Sequence, residues 1–125
     1  MIAHPEPMSP VMTKFHLDGP AVLHRFTAPD VGDFHDHPWP FTSQVLSGGY
    51  VEEVLDLDTL GTSMVLRQPG DVFEIGARHV HRIVQLLDGD CWTVIRPGAW
   101  ERKSGFWRVR DGRTEFRTWD AEWAA

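Results

Sequence analysis

Turn-forming residues punctuate this chain every 8–12 residues, and that spacing restricts the fold more than any other feature. The breaks fall at Pro29-Asp30 with Gly32, at Gly48-Gly49, at 58–62, at Pro69-Gly70-Asp71, at Asp88-Gly89-Asp90, at Pro97-Gly98 and at Asp111-Gly112. Between them lie short segments rich in β-branched, aromatic and other apolar residues. The pattern predicts strands over 21–26, 41–46, 50–56, 63–67, 72–75, 79–87, 91–96, 106–109 and 114–118, and a loop over 28–34. Asp88-Gly89-Asp90 is expected to close a hairpin into 91–96, and Asp111-Gly112 to close a last one. No stretch shows three turns of amphipathic periodicity, so alternating βαβ units are excluded in favour of an all-β sandwich or barrel. A short helical end is expected over 119–125. The proline-rich residues 1–12 are expected to form an extended arm, leaving 13–125 as one domain.

Length and charge narrow the function. The 125 residues suit one compact domain, and six Trp and seven Phe supply both core and pocket-lining surface. A net charge of −6 disfavours a nucleic-acid partner, because that binding needs basic patches. The arginines of the last third (Arg96, Arg102, Arg108, Arg110, Arg113, Arg117) are interleaved with acids and read as a solvated, ion-paired surface. The single Cys91 allows no disulfide within the chain and reads as a small buried hydrophobe. No apolar run reaches membrane-spanning length and the first residues lack a leader pattern, so no membrane partner and a cytoplasmic location are expected. Phosphate loops, nucleophile elbows and zinc-finger cysteine spacings are missing from the sequence.

Four of seven histidines fall in two His-x-His pairs, His35-Asp36-His37 and His79-Val80-His81. Residues two apart on an extended chain share a face, so each pair can converge on one point. Neutral imidazoles are common ligands of divalent transition metals. Asp36 should point away from its neighbours. Glu52 and Glu53, after the Gly-Gly bend, read as solvated. Trp39 and Phe41, in the Pro38-Trp39-Pro40-Phe41 segment, either line a pocket mouth or fill space between sheets. Arg96 reads as a surface charge before a turn, with an inward carboxylate clamp as the alternative. His24 reads as a buried or rim histidine, with a place in the pocket as its alternative; His4 and His16 read as surface residues.

The order Gly32, His35-Asp36-His37, an apolar strand closing at Gly49, then Gly70-Asp71, a strand, and His81 ten residues after Asp71 resembles the two motifs of the cupin superfamily. The resemblance covers about residues 22–97. It implies a jelly-roll β-barrel (a double-stranded β-helix) whose motifs bind one metal ion jointly, with His35, His37 and His81 as ligands. Two departures stand out. The family's glutamate position falls on Thr42, and the proline usual before the last histidine is replaced near Gly76. Gln44, two residues beyond Thr42, is then a candidate to approach the metal or its water, and His79 a candidate ligand or support for one. Three-histidine cupin dioxygenases are similar to this arrangement. The resemblance therefore implies a metal-dependent dioxygenase or related small-molecule enzyme, with Fe(II) ahead of Zn, Ni or Mn, and a homodimer. Two alternatives stay open: a non-catalytic cupin that binds or senses a small ligand, and a metal-independent isomerase or epimerase using His24 or His79 as base.

Overall fold

The computed structural model describes residues 4–124. Twelve strands form two six-stranded antiparallel sheets with no helix among the described residues. The first sheet holds β1 (His4–Ser9), β2 (Met12–His16), β3 (Val22–Phe26), β10 (Cys91–Pro97), β5 (Phe41–Ser47) and β8 (Val72–Ile75), in that order. The second holds β12 (Arg113–Thr118), β11 (Gly105–Arg110), β4 (Asp30–His35), β9 (His81–Leu86), β6 (Tyr50–Leu55) and β7 (Thr62–Arg67). Every connection from β3 to β11 except β6–β7 passes from one sheet to the other, as a jelly roll requires.

Those crossings explain the glycines. At Gly48 φ is +83°, and a Cβ there would collide with the Asp90 carbonyl. Only glycine lets the β5–β6 and β9–β10 crossovers lie this close. The turn at Asp88-Gly89-Asp90 is therefore not the expected hairpin, since β9 and β10 belong to different sheets. The Asp111-Gly112 turn does close one, pairing Arg110 with Arg113.

Three other expectations change. Residues 30–34, read as loop, belong with His35 to β4, which touches β9 at Asp30↔Ile83 and His35↔His81 with an irregularity between. Residues 4–9 are extended but paired as a hairpin with β2, so a division after residue 12 falls inside the first sheet. Residues 119–124 contain a turn and no helix; residue 125, also in the expected helical end, lies outside the described residues.

The main core lies between the sheets. Val45 and Cys91 from one meet Tyr50 and Ile83 from the other, with Phe26, Phe73 and Leu86 around them. A smaller cluster of Phe34, Leu55 and Val80, flanked by Trp107, covers the outer face of the second sheet. Phe34 and Val80 each precede an inward histidine, so strand alternation places apolar cover outside and imidazole inside.

Candidate metal centre

His35 and His81 are direct register partners on neighbouring strands, and His37 follows two residues after His35. The local chain is held from both sides. His37 N–H donates to the Ala77 carbonyl at 3.1 Å. Asp36 points away, as alternation requires, and is buried. Its carboxylate accepts from Gly105 N–H at 2.8 Å, from Trp107 Nε1 at 2.9 Å and from Arg102. Asp36 is thus a clamp fastening the His-x-His segment to β11.

The three rings converge. Their centroids stand 5.3 Å (His35–His37), 4.7 Å (His35–His81) and 5.0 Å (His37–His81) apart. One nitrogen from each lies within 4.8 Å of the others. Burial, reinforced by the neighbouring rings, lowers the His35 pKa to about 3 and that of His37 well below its ordinary value. His81 is lowered by burial too, against the opposing pull of Glu52. All three are therefore neutral at pH 7. His37 Nδ1 is buried with no hydrogen-bond partner. Three neutral imidazoles, one with a bare buried nitrogen, fit a divalent transition-metal ion.

Glu52 is the residue that sequence reasoning misplaced. It is 0 % exposed rather than solvated. Its Oε2 accepts from His81 Nδ1 at 2.8 Å, and its Oε1 meets His79 Nε2 at 3.1 Å and Arg67 Nη2 at 3.2 Å. Burial alone would raise its pKa; the bonds from His79 and His81 outweigh that and hold the carboxyl well below the usual range. A neutral His81 that donates from Nδ1 keeps its Nε2 lone pair free, the carboxylate–histidine support familiar behind metal ligands. The available signal was alternation from Tyr50, which puts Glu52 on the same inward face. Glu53 lies on the opposite face, bonded to Arg82 at 2.7 Å.

The histidines open into a cavity of about 390 Å³, lined also by His24, Trp39, Phe41, Phe106 and Trp119. Trp39 and Phe41 meet edge to face at 5.7 Å, and Phe41 does the same with His37 at 4.9 Å. His79 does not line the cavity; it sits behind Glu52, with which it and His81 form a second potential ligand group. Three other candidates are carried away. On β5 the inward residues are Ser43 and Val45, so Gln44 is exposed on the outer face. Thr42 and its partner Arg96 share that outer face, beside Glu74. None of them reaches the histidines.

No family model matches the chain, and no curated protein matches it in sequence. Solved structures do match. The Drosophila melanogaster CENP-C cupin domain superposes with a TM-score of 0.61 at 13% identity, over 77% of this chain and 75% of that one. The chain has a cupin fold. Two further structures share it: the capsular polysaccharide assembling protein CapF from Staphylococcus aureus (TM-score 0.60, 15% identity, 79% of this chain and 29% of that one) and the hydroxypropylphosphonic acid epoxidase from S. wedmorenis (0.60, 11%, 77% and 55%). The chain thus spans under two thirds of the length of those last two. At such identities the likeness shows the fold, and the chemistry must be argued from the site.

Proposed function

We propose that this cupin holds one divalent metal ion, Fe(II) first, on His35, His37 and His81, and acts as a metal-dependent dioxygenase or related enzyme on a small chelating molecule. The observation carrying this reading is the convergence of three neutral imidazoles at the wall of an aromatic-lined cavity. A bound ion would supply Lewis-acid and oxygen-activating chemistry. The chain's own share is positional. Glu52 fixes the His81 tautomer, Asp36 fixes the His35–His37 segment, and Phe41, Trp39 and Phe106 restrict water. Because the three ligands are neutral, the ion's charge is left for an anionic chelator to offset. Zn, Ni or Mn would suit the same donors. An edge-strand homodimer in the cytoplasm completes the proposal; light scattering of the purified protein checks the dimer.

Elemental analysis tests the centre. Wild type should purify with, or take up, one equivalent of metal, and His81→Ala should retain less than about a tenth of it. Full metal content in the variant rejects the assignment. A second reading, a non-catalytic ligand-binding cupin, draws on one observation: no carboxylate joins the three-histidine group among the described residues. Stoichiometric Fe(II) without oxygen uptake across a panel of chelating phenols and acids would favour it.

A further inference from the structure

Opposite the three histidines, the inner face of the first sheet carries a polar row. Lys14, His24 and Thr93 are successive register partners across β2, β3 and β10. Directly opposed side chains on one face stand within about 5.5 Å at Cβ, and all three line the cavity. Among the described residues, Lys14 is the only lysine or arginine in that lining. Its ammonium lies 5.9 Å from the centroid of the Trp39 ring and forms no ion pair among the described residues. Its cross-strand neighbour Glu6 is taken by His16, 2.7 Å away.

His24 is equally unsatisfied. Its Nε2 is buried without a partner, a state that costs free energy unless a ligand completes it. Of the cavity's two carboxylates, Asp36 has both oxygens engaged and Asp30 is exposed on β4. A free ammonium and an orphaned imidazole side by side, facing apolar walls, are a receptor for an anion.

We propose that Lys14 and His24 form an anion subsite, so that the molecule this cavity takes carries a carboxylate remote from the three histidines, joined through a flat apolar body. Lys14 supplies the charge, and His24 in its Nε2–H tautomer donates the second hydrogen bond. The anionic end stands independently of the metal; only the idea that the other end chelates rests on the reading above.

Calorimetry with two matched probes tests the subsite without metal. Wild type should bind 3-phenylpropanoate at least about tenfold more tightly than 3-phenylpropanol, the size expected of a charge-assisted hydrogen bond. Lys14→Met should erase that preference and leave the alcohol within twofold, whereas Lys14→Arg should keep most of it. His24→Leu should weaken the acid severalfold. Lys14→Gln serves if the Met variant melts early. Equal binding of acid and alcohol by wild type, no binding of either, or acid binding untouched by Lys14→Met and Lys14→Gln overturns the subsite. In Zn(II)-loaded protein, 3-(3,4-dihydroxyphenyl)propanoate should gain a further tenfold that His81→Ala removes. If the catechol adds nothing while the Lys14 dependence holds, the metal reading fails and the anion subsite stands.

Discussion

A fully buried carboxylate at position 52 is stable here because three side chains satisfy its two oxygens: His79 and Arg67 share Oε1, and His81 has Oε2. Removing the charge while keeping the shape isolates its role. Glu52→Gln should leave the fold intact and lower metal affinity by about 10–100-fold, the usual effect of losing the support behind a histidine ligand; competition against a chromophoric chelator reads it. Unchanged affinity would mean that Glu52 serves structure alone. Sequence reading grouped His35, His37 and His81 from motif spacing but set Glu52 in solvent, because a Glu-Glu pair after a glycine bend has the look of surface. Thr42 and Gln44 failed for a related reason. With Ser43 on the inner face and Leu46 on the outer one, β5 does not display which side is apolar, and one residue of register exchanges the faces.

Strands with strong alternation and clean turns were legible: 72–75 matches β8, and β5, β6, β7, β10, β11 and β12 lie within a residue or two of their expected bounds. β1 and β4 were not. Pro5 and Pro7 disguise β1, yet an edge strand tolerates missing N–H donors on its unpaired side. Gly32 and Asp33 disguise β4, whose exposed middle leaves the ladder at both sides of an irregularity and returns only at His35. The crossover between sheets was invisible because a turn sequence does not state which sheet comes next. It makes a prediction at Gly48. Alanine there must adopt a left-handed backbone and meet the Asp90 carbonyl, so Gly48→Ala should cost more than about 2 kcal/mol in urea unfolding. A loss within 0.5 kcal/mol would show that the two crossovers can separate freely.

Across the whole molecule, buried neutral histidines link stability to pH. His24 and His35 titrate near pH 3 when folded and near 6.5 when unfolded. Between those values the unfolded chain binds more protons, so stability is full above about 6.5 and falls as pH drops toward 3. Glu52, also lowered, acts in the same direction below its unfolded value. At pH 4 each of the two histidines should cost the metal-free protein about 3 kcal/mol relative to pH 7. The urea midpoint should drop accordingly, and less so in His24→Leu; a midpoint independent of pH would contradict the burial of these rings. The central claim is that one ion sits among His35, His37 and His81, and anomalous diffraction from metal-soaked crystals tests it most directly. A single peak about 2.0–2.2 Å from one nitrogen of each ring is predicted. A peak on the Glu52–His79–His81 group instead, or none at full soak, would contradict it.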